Sequence, residues 1–521
     1  MVTDNETQPR NRWKSLVVLC ASLLMVGMDL TVLHVAVPTI SQQLLPSGAE
    51  LLWIVDSYAL VVAAALITFG TLADRYGRKR ILLLGFVVFG LASAAAAVSL
   101  SPLQLIVARA MLGVGGAMIM SSTPALVRVA FPDARERTLA VGLWVASYSV
   151  GVSIGPLVGG VLLESFWWGS VFLINLPIVA VALIAGARVL PASKDPQTRR
   201  WDAPGAALSA LGLATLVYGL QELGGGTDAV ALAAGVAVAG LGLLTVFVTR
   251  QRRITSPLVD MAQFSDRRFS TAAVCVMGCY GSYMALLFLL TQRLQLLDGY
   301  TPLQAGLTLT PLAVANAVGA ALAPRLSSRF GVHRGLAGGL ILLAVALLGF
   351  TAFGSAHNYP ALVAAGLGAG AVMTLGSDVM LGTAPAQRAG EVGAVQETSF
   401  SLGAGLGLAL FGSLLSIVYR LTLQTPPAAT AQQDTAASHS LGAAAQVAAH
   451  LDGSQAHTLL TNATSAFDTG FAVATATAAA LLLLLAPPAA TLPKALTHGA
   501  TGDLDRDTDL SSTTTQPEPC S

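Results

Sequence analysis

The stretch Gly70-Thr71-Leu72-Ala73-Asp74-Arg75-Tyr76-Gly77-Arg78-Lys79-Arg80 joins two long apolar segments, 51–72 and 80–100. About 20 mostly apolar residues suffice for a helix to cross the hydrocarbon of a bilayer. The charged stretch therefore reads as a turn between two membrane-crossing helices. Its basic residues hold it on the cytoplasmic side, and Gly77 permits the tight reversal.

Working outward from this hairpin, the same length rule gives fourteen spans. Six lie at 15–37, 51–72, 80–100, 104–124, 138–163 and 169–190. A middle pair lies at 204–222 and 228–249. Six more lie at 270–293, 303–323, 334–354, 359–382, 391–418 and 467–490. Composition agrees: 54% of the 521 residues are hydrophobic and 11% are charged, against about 25% charged in soluble domains. A net charge of +1 implies no nucleic-acid partner. No Gly-x-x-x-x-Gly-Lys-[Ser/Thr] loop occurs, which argues against ATP-driven work by this chain.

Charge placement tests the count. With the N-terminus in the cytoplasm, every one of the 28 basic residues falls on an inner segment except Arg293 and Arg420, at the outer side, and Arg109, within a span. A missed helix would reverse this bias downstream. The opening turn also recurs: Arg329-Phe330-Gly331-Val332-His333-Arg334 follows span 10. Glycine-rich span 5 (Gly151, Gly155, Gly159, Gly160) is likewise echoed by Gly403, Gly405 and Gly407 in span 13. Repeats of six helices are a known transporter plan. Here they stand eight spans apart, so two helices are inserted between the halves.

The expected organisation is a cytoplasmic N-terminus (1–14), an N-terminal six-helix bundle (15–190), two inserted helices (204–249), a C-terminal bundle (270–490) and a disordered cytoplasmic tail (491–521). The C-terminal bundle includes an external loop, 420–466, read as a solvated helical cap. Neither Cys275 with Cys279 nor the loop histidines His439, His450 and His457 are read as metal ligands, and no cofactor is expected.

The 70–80 stretch resembles the signature loop between helices 2 and 3 of the major facilitator superfamily, matching at Gly70, Asp74, Arg75, Gly77 and Arg78. Asp29-Leu-Thr31-Val-Leu-His34-Val-Ala36-Val-Pro38 resembles the first-helix motif of its fourteen-helix drug:proton antiporters. Arg109-Ala-Met-Leu-Gly113-Val-Gly115-Gly116 resembles their fourth-helix motif, and Phe172-Leu-Ile-Asn175-Leu-Pro177 also fits. Gly151-Val-Ser-Ile-Gly155-Pro156-Leu-Val-Gly159-Gly160 resembles their antiporter motif, which implies export with exchange. Trp53-Ile-Val-Asp56-Ser-Tyr58, Ser377-Asp378-Val and Glu397-Thr-Ser are most similar to exporters of quaternary ammonium compounds and methyl viologen. His34, Leu112 and Ser401 depart from that pattern, at positions where relatives favour asparagine, glutamine and an acid. The resemblance implies an all-α integral membrane protein of the major facilitator fold, two six-helix bundles plus two inserted helices. It also implies alternating access driven by the proton motive force, a small cationic drug as substrate, and a monomer in the cytoplasmic membrane with both termini inside.

Charged groups inside a membrane cost about 2.5–3.5 kcal/mol on insertion scales and are functional candidates. Five stand out: Asp29, Asp56, Arg109, Asp378 and Glu397. At about 1.5 Å rise per residue, Asp29 lies about 21 Å from the inner edge of a core about 30 Å thick. Asp56 and Arg109 each lie about 7 Å below the outer edge. The three share a level, and an Asp29–Arg109 pair is geometrically allowed. Asp378 and Glu397 fall towards the cytoplasm. In the mechanism this suggests, Asp29 carries the driving proton and Arg109 moves relative to it. A cation then competes for Asp56, Asp378 or Glu397 while Trp53 and Tyr58 stack on it. The plainer alternatives are an interhelical hydrogen bond at Asp29, a structural clamp at Arg109, a solvated Asp56, gate roles for Asp378 and Glu397, and interfacial anchoring by Trp53 and Tyr58. His34, about 140° around the helix from Asp29, is either a proton relay or a partner for a neighbouring helix. The rival functions are proton-coupled export of an endogenous antibiotic or other metabolite and, in another class, a membrane sensor or enzyme.

Overall fold

The structure is a computed structural model and describes residues 8–191, 202–225, 230–254, 257–258, 261–353, 358–383, 389–426 and 430–492. Fourteen of its helical segments are long and apolar enough to cross a membrane. The N-terminal half consists of α1 (Gln8–Leu44), α2 (Gly48–Tyr76), α3 (Arg78–Ala97), α4 (Pro102–Ala130), α5 (Ala134–Ser165), α6 (Ser170–Leu173) and α7 (Asn175–Val189). The inserted pair is α8 (Ala203–Gly225) and α9 (Val230–Gln251). The C-terminal half consists of α10 (Arg267–Leu296), α11 (Pro302–Phe330), α12 (Val332–Phe353), α13 (Tyr359–Gly382), α14 (Ala389–Thr422), the short α15 (Ala431–His439) and α16 (Leu441–Ala448), and α17 (Gly453–Ala490).

The two halves pack alike. In the first, α1 packs on α5, α2 on α4, α3 on α4, and α7 on both α1 and α3. In the second, α10 packs on α14, α11 on α13, α12 on α13, and α17 on both α10 and α12. The halves meet through α5 against α11 and α2 against α14, one arrangement seen from either side. Local chemistry repeats with the packing. Helix α2 starts in a capping box, Ser47 with Glu50, and α11 in another, Thr301 with Gln304. Each box satisfies two otherwise unpaired N–H groups. Both helices end on a glycine with positive φ, Gly77 at 106° and Gly331 at 87°, a backbone that residues with a Cβ rarely adopt. The turn that opened the sequence reading is thus built the same way twice.

The span-5 glycines set how closely helices approach. A Cβ on Gly155 would collide with Thr31 Oγ1 and come within 2.9 Å of the Met28 carbonyl oxygen, and Thr31 Oγ1 donates to the Val152 carbonyl at 2.9 Å. A Cβ on Gly160 would stand 2.7 Å from Leu303 Cα, and one on Gly306 2.5 Å from the Pro156 carbonyl oxygen. Those last contacts join α5 to α11 across the halves at the outer end. Gly70 differs, since a Cβ there would meet only Ser121 Cβ, at 3.9 Å. No close helix approach occurs at Gly70 in this conformation.

Helices α1, α4 and α11 run on to Leu44, Ala130 and Phe330, past the expected span ends, and two larger differences occur. Span 6 is interrupted at Ile174, between α6 and α7. Pro177 has no N–H to give the Leu173 carbonyl, which weakens the helix at that point. Span 14 begins at Gly453 rather than near 467, because the 453–466 stretch continues the helix although its polar residues hide it from a hydropathy count. The cap expected to be solvated is partly buried: Ala437, Leu441, Ala444 and Ala448 pack into the core. It also crosses to the other half, where Gln446 Nε2 donates to the Gln42 carbonyl at 3.1 Å.

Outside the bilayer core, Asp202 staples the inner end of the inserted pair. It accepts from Arg250 Nη2 at 2.7 Å, from Gln251 Nε2 at 2.9 Å and from the Gly205 amide at 3.1 Å. Burial works to raise its proton affinity, but donation from Arg250, Gly205 and Gln251 outweighs it and holds the carboxyl below the ordinary carboxylate range.

Candidate functional site

Asp29 and Arg109 are both fully buried. Arg109 Nη1 donates to Asp29 Oδ2 at 2.7 Å. Helix α4 can deliver the guanidinium because glycines let α2 come close: a Cβ on Gly113 would stand 2.7 Å from the Tyr58 carbonyl oxygen. Arg109 thereby also donates from Nε to the Ile54 carbonyl at 3.2 Å and from Nη2 to the Val55 carbonyl at 3.4 Å. Its charged carbon sits 4.7 Å from the centre of the Tyr58 ring. Arg109 thus touches both Asp29 and the α2 backbone next to Asp56.

The other carboxylate oxygen is held by Asn175, an uncharged residue. Asn175, first residue of α7, donates from Nδ2 to Asp29 Oδ1 at 2.8 Å and lies 3.3 Å from Ser93 Oγ of α3. Asn175 had been quoted only as part of a motif; nothing in periodicity tells which helix its side chain meets. His34 faces the opposite half, edge-on to Phe288 of α10 at 6.1 Å between ring centres.

Beside this pair lies a narrow gap of about 10 Å³, room for about one water in this conformation. Both halves line it: Tyr58 and Met120 with Tyr148 from the first, and Tyr280, Phe400 and Ser401 from the second. Tyr280 and Phe400 meet edge to face at 5.1 Å. Its lining is aromatic and apolar, with no acid among the described residues. Of the residues expected to bind substrate, Tyr58 reaches it. Trp53 and Asp56 instead face the inserted helix α8. Trp53 packs beside Tyr218 at 6.4 Å between ring centres. Asp56 is buried rather than solvated, and accepts from Gln221 Nε2 at 2.7 Å. Asp378 is exposed near the inner end of α13. The backbone at Glu397 is helical, but its side chain lies outside the described residues.

Inner and outer ends are finished differently. At the inner end, Arg78 Nε donates to Asp74 Oδ1 at 2.8 Å, and Lys79 caps the end of α7 by donating to the carbonyls of Ala187 and Leu190. Arg75 lies over the ring of Tyr76 at 5.5 Å, and Arg12 pairs with Glu136 at 2.6 Å. At the outer end, Gln295 of α10 donates to the Val35 carbonyl of α1 at 2.9 Å. The two basic residues that broke the charge rule are both engaged there. Arg293 pairs with Asp468 of α17, and Arg420 donates to the Leu223 carbonyl of α8 at 3.3 Å. No cluster of metal-ligating side chains occurs among the described residues.

The family model described as Major Facilitator Superfamily matches residues 19–408. The multidrug efflux pump LfrA of Mycolicibacterium smegmatis is 37% identical, over 89% of this chain and 93% of its own length. The methyl viologen resistance protein SmvA of Salmonella typhimurium is 36% identical, over 91% of this chain and 97% of its own. Among solved structures, a bacterial homologue of the human lysosomal transporter Spinster, in an inward-facing and unoccupied conformation, superposes with a TM-score of 0.65. It covers 92% of this chain and 98% of that one at 16% identity, a likeness of fold alone.

Proposed function

Because this chain belongs to the major facilitator superfamily, we propose that it is a proton-coupled efflux antiporter for lipophilic cations. It works by alternating access in the cytoplasmic membrane, as a monomer with both termini inside. The single observation that carries the coupling is the buried Asp29–Arg109 pair beside a gap that both halves line. Asp29 takes the proton. Once neutral, it no longer holds Arg109 by charge, and the guanidinium is free to shift towards the Ile54 and Val55 carbonyls and the Tyr58 ring it already touches. Since Tyr58 also lines the gap, that shift alters the substrate site. Once the halves part and widen the gap, substrate stacks among Tyr58, Tyr148, Tyr280 and Phe400, as cations do on aromatic faces. Asp56, Asp378 and Glu397 supply negative charge away from the gap itself, with Trp53 packed beside Asp56 against α8.

The span-5 motif closes the outer end through Gly160 and Pro156, while the Gly70–Arg78 turn, by way of Asp74 and Arg78, forms part of the inner gate. Each proton entering is worth about 2.3 kcal/mol per 100 mV. The name of SmvA, a methyl viologen resistance protein, supports the cationic substrate class, and that of LfrA, a multidrug efflux pump, supports drug export.

A second reading, export of an endogenous antibiotic or other uncharged aromatic metabolite, is favoured by the gap lining, which holds no acid among the described residues. A resistance and dye-efflux panel in a pump-deficient host separates the two. Mono- and dicationic compounds are compared with neutral and anionic ones, with and without an uncoupler. Uncoupler-sensitive efflux of cations is expected. Efflux of neutral compounds alone selects the second reading, and indifference to the uncoupler removes proton coupling.

A further inference from the structure

The inserted helices have no counterpart in the six-plus-six plan, yet α8 lies in the seam between the halves. Its Leu213 and Val217 form one apolar cluster with Leu60 of α2 and Ala409 of α14. One turn further out, Gln221 is wholly buried and donates from Nε2 to Asp56 Oδ2 at 2.7 Å. Two residues on, the Leu223 carbonyl accepts from Arg420 of α14 at 3.3 Å. The outer end of α8 is thus tied to both halves, to the first through an acid and to the second through a base.

The chemistry of the first tie is specific. Asp56 has no lysine or arginine within ion-pair distance among the described residues, so Gln221 is its polar partner. Gln221 Oε1 is buried and has no hydrogen-bond partner among the described residues. An amide arranged this way can serve either protonation state of a carboxyl: Nε2 donates to the ionised form, and after the amide turns over, Oε1 accepts from the protonated form. Several other charged groups on the packed elements are engaged elsewhere, and Glu222, next to Gln221 on α8, is only half-buried. Arg109 of α4 is on Asp29 and the carbonyls of residues 54 and 55, Arg420 is on Leu223, and Glu50 of α2 is in its capping box. His34 of α1 faces α10.

We infer that Gln221 is a positioning residue for Asp56, and that through it the inserted helix α8 is a working part of the transport cycle. The inference rests on the export reading above but not on the role of Asp29. It applies whether Asp56 handles a proton or a cation, since both require the carboxyl to keep its place while its charge state changes.

The test is a double-mutant cycle in proteoliposomes, measuring ethidium efflux from pH 5.5 to 8.5. Gln221→Leu is expected to lower efflux about tenfold and to move the midpoint of the pH profile by half a unit or more. Placed on Asp56→Asn, it is expected to cost less than a further twofold, because the group it positions is already neutral. Wild-type behaviour of Gln221→Leu, or losses that multiply in the double variant, would overturn the inference by leaving Gln221 irrelevant or merely structural.

Should Gln221→Leu not accumulate, the size-preserving exchange Asp56→Asn/Gln221→Glu puts the acid and amide on opposite sides of the same seam. Recovery above Asp56→Asn alone supports the inference, and activity at the product of the two single losses contradicts it. Wild-type and Asp29→Asn vesicles run alongside keep the failures distinct. If wild type itself moves no ethidium against its gradient, the export reading has failed instead.

Discussion

Asp29 and Arg109, eighty residues apart in sequence, share a 2.7 Å ion pair from which solvent is fully excluded. Burying two charges is costly, and attraction repays it only where the remaining donors and acceptors are also satisfied. Here they are: Asn175 takes the second carboxylate oxygen, and α2 carbonyls take two further N–H groups of Arg109. Removing one partner leaves the other stranded. Arg109→Ala is therefore expected to destabilise the folded protein by about 3–5 kcal/mol. Thermal unfolding in detergent checks it, and neutralising Asp29 as well should return much of the loss.

Asn175 is expected to tune this pair rather than merely fill space. Asn175→Leu keeps the branching but is bulkier and cannot donate, and leaves Asp29 Oδ1 unsatisfied at a cost of about 1–3 kcal/mol. The predicted outcome is a lowered melting temperature together with an altered pH profile of efflux. A change in melting temperature alone would make Asn175 structural.

Two glycines quoted from family motifs should respond in opposite ways. Gly155→Ala drives a Cβ into Thr31 and the α1 backbone, which has no room to yield. Overpacking of this kind costs about 1–3 kcal/mol, and efflux should fall with the yield of folded protein. Gly70→Ala meets nothing closer than 3.9 Å and should change stability by less than about 0.5 kcal/mol. Any effect of Gly70→Ala on transport would then report a closer approach in another conformation.

The Asp202 staple carries a pH signature. Its carboxyl is held below its ordinary value in the folded protein, so the stabilisation it brings is fully present above the unfolded value of about 3.9. It is lost as pH falls through the lower folded value. Asp202→Asn should melt earlier than wild type at pH 7, and the gap should close as pH approaches 3. A gap that persists unchanged at pH 3 would mean that charge is not what the staple supplies.

Much of this fold could be read from the chain itself. Basic residues and apolar runs report position along the membrane normal, so they yielded the spans and the common depth of Asp29, Asp56 and Arg109. The eight-span repeat yielded the paired halves. What they cannot report is direction around the normal. Whether Asp56 faces the gap or α8, and whether Asn175 meets Asp29, depends on helix rotation and neighbours, set by packing between segments far apart in sequence. Had depth been applied to polar neutral residues as well as charged ones, Gln221, near the outer end of span 7, would have stood out. The start of α17 was hidden for another reason: Thr, Ser and Asn along 453–466 lower hydropathy without breaking a helix.

The most direct test of the coupling is gradient-driven transport in proteoliposomes bearing wild type or Asp29→Asn, with ethidium and an imposed proton gradient in the direction that drives export. Wild type should accumulate ethidium against its gradient and collapse on adding an uncoupler. Asp29→Asn should still equilibrate ethidium but gain nothing from the imposed gradient. Full proton-driven accumulation by Asp29→Asn would contradict the assignment of Asp29 as the proton carrier.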